Sequence, residues 1–114
     1  MLLLAGRTNV QKLLSGDAAG KKIAKIIVGT NSTPVSESDT TITNPFSKAV
    51  GTVDYLSSGY VQFNITLDAG DPAMLIQEVG LLSDDNVLCY RKVIPPVNKV
   101  AGATYSVSFR IKVQ

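Results

Sequence analysis

The chain has 114 residues, 45% of them hydrophobic and 18% charged, with a formal net charge of +2, no histidine and a single cysteine. That composition describes one globular domain large enough to bury a core without metal or disulfide staples, and it is too apolar for a disordered chain. The small net charge argues against a polyanionic partner, and the missing histidine removes Ser-His-Asp and Cys-His nucleophile systems and histidine metal sites.

Met1 to Ala5 is apolar but stops at Gly6, too short for a signal-peptide core or a membrane span. Leu3, Arg7, Val10, Leu13 and Leu14 space like one helical stripe. This predicts a short amphipathic helix within residues 3–15, capped by Thr8 or Asn9, ended by Gly16, with its apolar side on a sheet. After a turn at Ala19–Lys22, the β-branched run Ile23–Val28 reads as a strand. Thr30 to Thr43 is rich in Thr and Ser, interrupted only by Val35 and Ile42 among apolar side chains. It is a long loop for so small a domain, and such loops are usually functional or mobile.

Phe46–Tyr55 reads as one strand, turned by Ser57-Ser58-Gly59 into Tyr60–Leu67, which alternates without error: Val61, Phe63, Ile65 and Leu67 on one face, Tyr60, Gln62, Asn64 and Thr66 on the other. Met74–Leu82 and Val87–Ile94 form a strand pair across the Ser83–Asn86 turn. Pro95-Pro96 ends the second strand and opens a loop to Gly102, and Tyr105–Val113 alternates again. The expectation is a mainly β single domain over residues 1–114. It would be a small antiparallel β-sandwich or curled sheet of about six strands, with one N-terminal helix within 3–15 and a β-rich body over 22–113.

Little in this pattern resembles reaction chemistry. Gly16 to Lys22 suggests a phosphate loop but has one residue too few between its glycines, Lys22 where Ser or Thr should stand, and a strand after it. Asp68 with Asp71, and Asp84 with Asp85, sit in turns where carboxylates cap backbone N–H groups, and neither pair supplies a calcium site. Lys21, Lys22 and Lys25 lack the charge density and interleaved aromatics of a nucleic-acid surface. Asn31-Ser-Thr33 and Asn64-Ile-Thr66 match a glycosylation acceptor pattern, which carries little weight without a secretory signal. Cys89, in a strand, reads as a buried reduced thiol. If the turn pairs Leu82 with Val87, Glu78 faces Arg91 directly, as a structural ion pair contributing about 0.2–1 kcal/mol. No catalytic residue, cofactor or metal ligand is expected.

Lys25-Ile-Ile-Val-Gly-Thr-Asn31, followed by Pro34, the Thr-rich loop and Asn44-Pro45, resembles the opening of bacteriophage tail-fibre proteins, notably the tail-collar fibre family. Ile76-Gln-Glu-Val-Gly-Leu-Leu82, an acidic turn and Val87-Leu-Cys-Tyr-Arg-Lys-Val93 resemble the strand pair of that family, built on an Ile-x-Glu-Ile/Val-Gly-Leu core. The helix ending from Asn9 to Gly16 also fits, so the likeness spans nearly the whole chain. It implies a non-enzymatic virion structural protein, an adapter or attachment module of a phage tail, tail fibre or baseplate, assembled in the host cytoplasm. Its partners would be other tail, fibre or baseplate proteins, and it would form a homo-oligomer (a trimer or ring), with no nucleic acid and no membrane. The chain ends at Gln114, where such modules usually continue into a shaft, so a free-standing adapter, baseplate or neck component is expected. The candidate docking surfaces are the N-terminal apolar segment, the Thr30–Thr43 loop with Thr30, Asn31, Pro34, Thr40 and Asn44, and the Pro95–Val100 loop with Pro95, Pro96 and Asn98. A carbohydrate-binding β-sandwich using Tyr55, Tyr60 or Tyr90 is the alternative, and a hydrolase built on carboxylates such as Glu78 is a third reading.

Overall fold

The computed structural model describes residues 1–113 as two antiparallel sheets and one helix. The elements are α1 (Leu4–Ser15), β1 (Ile23–Gly29), β2 (Phe46–Ala49), β3 (Thr52–Tyr55), β4 (Tyr60–Leu67), β5 (Met74–Ser83), β6 (Leu88–Lys99) and β7 (Tyr105–Lys112). Sheet A has the order β2-β1-β5-β6 and sheet B the order β3-β4-β7. Alternation sends one side of each sheet inward. Ile26 and Val28 of β1 and Ile76, Val79 and Leu81 of β5 meet Phe63, Ile65 and Leu67 of β4 and Phe109 of β7 in one buried core. The mainly β sandwich with a helix is the fold that the alternating runs predict.

Four local expectations are corrected. Phe46–Tyr55 is two strands: β2 pairs with β1 in sheet A, and β3 pairs with β4 in sheet B. Val50 and Gly51 make the crossing, Val50 N–H bonding to Ala24 of sheet A and Gly51 N–H to Asn64 of sheet B. Next, β6 does not end at Ile94. It runs through Pro95 and Pro96 to Lys99, so Pro95, Pro96 and Asn98 are exposed strand residues and do not form a loop. The prolines are tolerated because β6 is an edge strand and its register against β5 shifts beside them, between Ile76 and Glu78.

The helix is the third correction. Neither Thr8 nor Asn9 caps it; it starts at Leu4 without a side-chain cap, and Gly16 ends it in the left-handed conformation at φ 74°. Asn9 instead exchanges two hydrogen bonds with the Lys21 backbone. Contact with the sheet runs through Gly6, where a Cβ would lie 2.1 Å from the Cys89 carbonyl oxygen, while Leu14 stays 84% exposed. A glycine lets the helix backbone approach closely; Leu3, Val10 and Leu13 of the stripe share its side of the helix, while Leu14 points to solvent. Finally, the N-terminal segment is largely consumed by the fold. Leu2 bridges to Tyr90 at the edge of β6, Leu3 N–H bonds to the Cys89 carbonyl, and the Leu3 side chain is fully buried.

Candidate functional site: a loop held by a buried ion pair

Sheet A is covered on its inner face by sheet B and on part of its outer face, where Leu75 and Val93 stay exposed beyond the cover. Its outer face packs Leu82 and Leu88 under Leu3 and Ile42, with Ile27 and Val35 beside them. The cover is therefore the N-terminal segment and the 30–43 loop, and the groups that hold the loop rise from the sheet beneath it.

Glu78 in β5 and Arg91 in β6 share this outer face. They are not directly opposite, because the turn register differs from the one expected: Glu78 faces Val93 and Arg91 faces Gly80. The pair is diagonal, a separation that long side chains span. Arg91 Nε lies 2.8 Å from Glu78 Oε1, and the two side chains are 2% and 0% exposed. The other Glu78 oxygen accepts backbone N–H bonds from Asn31 (2.8 Å) and Thr43 (3.0 Å), at the two ends of the loop. Arg91 donates its remaining bonds upward: Nη1 to Asp39 (3.0 Å), and Nη2 to the carbonyls of Asn31 (3.3 Å) and Thr33 (3.1 Å). Among the described residues no buried side-chain nitrogen or oxygen lacks a partner.

The clasp therefore works as a unit. The planar guanidinium satisfies a carboxylate on one side and loop carbonyls on the other, a geometry that an ammonium does not reproduce. Burial also changes the energetics from those of a half-exposed cross-strand pair. Formation offsets a large desolvation cost, so the pair is a weak source of net stability, but losing one member leaves a charge stranded in the interior. Gly29 makes room for it. A Cβ there would sit 2.3 Å from Ile42 Cγ2, 2.6 Å from the Thr43 carbonyl oxygen and 2.8 Å from Glu78 Oε2.

The loop neck is closed by Thr30 N–H to the Thr43 carbonyl, by Gln77 to the Thr30 carbonyl, and by Asn44, at φ 47°, to the Thr30 hydroxyl. Asn31 accepts from Thr33 through its side chain, while Pro34 and Thr40 are exposed at the surface. Thr30, Asn31 and Asn44 thus build the loop, and Pro34 and Thr40 face outward from it. Asp39 and Gly29 are the members that the sequence reading missed. Asp39 is one acid in a polar loop, and no local period points it at a residue 52 positions away.

A second polar tie lies at the other end of sheet A. Lys48 Nζ bonds to Asp68 (2.8 Å), Asp71 (2.7 Å) and the Thr66 carbonyl, and Lys99 Nζ to the Asp71 carbonyl. Hydrogen bonds to Asp68 and Asp71 push the Lys48 pKa above its ordinary 10.5, and the Lys48 ammonium holds Asp71 below its ordinary 3.8. Asp71 also accepts the Asp68 N–H, the turn-capping role expected of it. Cys89 is buried and unpaired, and burial pushes its thiol pKa up.

Other candidate chemistry is placed as follows. Glu78 has no exposed surface with which to meet a substrate. Tyr90 is set edge-on against Phe109 (6.1 Å between centroids), and Tyr60 has Arg110 and Lys112 over its ring at 5.7 and 5.6 Å, so neither is a bare stacking platform. Tyr55 alone of the three is freely exposed, at 87%. Among the described residues no cluster of three metal-binding side chains occurs, and no helix is long and apolar enough to cross a membrane. No family model and no curated protein matches this chain.

Proposed function

We propose that the chain is a non-enzymatic structural adapter: an attachment module of a phage tail, tail fibre or baseplate that presents the 30–43 loop to another virion protein. The observation that carries this reading is the clasp. Two fully buried charged side chains spend their hydrogen bonds on the backbone of one surface loop. A loop held this way meets a partner without the ordering cost that a mobile one bears on binding. The residues on which the tail-collar resemblance rests also include the clasp itself, since Gly29, Glu78 and Arg91 lie within those segments. The partner surface on this reading is the exposed top of the loop, at Pro34 and Thr40.

The test is to tag the chain in the host that carries its gene and fractionate phage or tail particles on a density gradient. The tag sediments with the particles, and Pro34→Asp with Thr40→Lys releases it to the soluble fraction while its circular dichroism spectrum is unchanged. A chain that never sediments with particles, or a loop variant that sediments like the parent, overturns the reading.

A further inference from the structure

Sheet B has two edges, and each is incomplete in a way that the other would repair. At β3, Val53 and Tyr55 pair with Phe63 and Val61, so they lie on the core-facing side of the sheet. Sheet A does not reach over them, and they remain 39% and 87% exposed. Between them Asp54 faces the other way, beside Gln62.

At the opposite edge, β7 is paired with β4 on one side only. It is eight residues long, has no proline and keeps an unbroken register with β4. Such an edge is a template for another strand. The long edge of sheet A is different: Leu2 occupies part of β6, and Pro95-Pro96 withhold their N–H groups from another. On the inner side of β7 the sandwich is open. A groove of about 280 Å³ separates β7 from β6, walled by Ile94, Val97, Tyr105 and Val107. The rim is cationic. Lys92 projects into the groove with Nζ 3.4 Å from the Ser108 carbonyl, and Arg110 and Lys112 stand on the outer face of β7.

We propose that β3 of one copy docks along the free edge of β7 of a second copy, continuing sheet B from protomer to protomer. Val53 and Tyr55 then enter the groove, and Asp54 lies on the outer face among the cations of β7. Charge favours this pairing over β7 against β7, which would bring Lys92, Arg110 and Lys112 of two copies together. Both β3 and β7 run antiparallel to β4, so the new pair is parallel when copies are related by rotation about an axis along the strands. The contact is heterologous and propagates, closing into a ring if the rotation closes. It does not depend on the phage reading.

The experiment uses the full chain, with mass measured by light scattering over a wide concentration range. A discrete oligomer is expected, and Tyr55→Asp, at a position exposed in the single chain, reduces it to one chain with unchanged circular dichroism. Cross-linking then assigns the contact. In one chain, residues 54 and 110 are separated by β4 and stand about 10 Å apart, too far for a disulfide. Asp54→Cys with Arg110→Cys therefore gives a ladder of covalent oligomers on a non-reducing gel only if β3 meets β7 of a neighbour, and each single variant gives none. A one-chain mass at every concentration, an oligomer whose double variant forms no ladder, or dimers from Arg110→Cys alone (the mark of β7 meeting β7) overturns the proposal.

Discussion

Sheets A and B use the same local pattern and end in opposite conditions. Sheet A carries a cover on part of its outer face as well as on its inner one, with Glu78 and Arg91 buried beneath the 30–43 loop. Sheet B is covered on one face only, and there incompletely, since Val53 and Tyr55 stay exposed. Its outer face carries Gln62, Asn64, Ser108 and Arg110 in hydrogen bonds along the surface, and neither of its edges pairs with a further strand. The lesson concerns where polar groups hold a fold and where they merely decorate it. A charge under a loop is costly to strand, while a polar side chain on an open face exchanges one set of hydrogen bonds for water.

The largest test of that contrast breaks the clasp. Arg91→Met leaves the Glu78 carboxylate buried without its cation, and is expected to cost about 3–5 kcal/mol in urea unfolding. Asn64→Ala, on the open face of sheet B, is expected to cost about 1 kcal/mol or less. Because Glu78 and Arg91 act as one unit, Glu78→Gln combined with Arg91→Met loses less than the sum of the single variants. Equal losses at Arg91 and Asn64 would erase the distinction between the sheets.

Gly29 gives a sharper and smaller probe. Gly29→Ala forces its Cβ against Ile42, the Thr43 backbone and the Glu78 carboxylate, an overpacking expected to cost about 1–3 kcal/mol. Gly51→Ala, whose Cβ would meet only the Asn64 carbonyl at 3.4 Å, serves as the mild comparison. Faster amide hydrogen exchange at Asn31 and Thr43 in Gly29→Ala alone would locate the damage in the loop.

The smallest effect is electrostatic and lies at the Lys48 tie. The Asp71 pKa is depressed in the folded chain, so its contribution is present above the ordinary value of 3.8 and is lost as pH falls through the lower folded value. The Lys48 pKa is raised, so its contribution is complete below 10.5 and is lost as pH climbs through the higher folded value. Asp71→Asn should therefore lower the urea midpoint slightly at neutral pH, with the difference from the parent vanishing in acid. A difference that persists well below pH 3.8 would place the effect elsewhere.

Much of this arrangement is legible one residue at a time. The faces of β4 and β7 follow from strict alternation, the helix stops where Gly16 permits a left-handed residue, and Glu78 and Arg91 stand out as opposite charges in adjoining strands. Their register was out of reach, because the turn pairs Leu82 with Leu88 and not with Val87, and a bulge between Leu81 and Leu82 adds one more residue that no turn signal announces. In α1 the stripe supplied Leu3 and Val10 on the side toward the sheets, but the close approach is set by Gly6 against Cys89, and Leu14 is left outside.

Side-chain period and turn chemistry are properties of neighbouring residues, and by themselves they determined most of the strands, the helix end and the β-sandwich class. The tertiary structure alone decided that the chain changes sheets at Val50–Gly51, that a Thr-rich loop is anchored to two charges beneath it, and that Val53 and Tyr55 face inward yet remain uncovered. Each of these depends on what lies opposite in space, and pairing between distant segments is set by the packing of the whole chain, which no short window of residues contains.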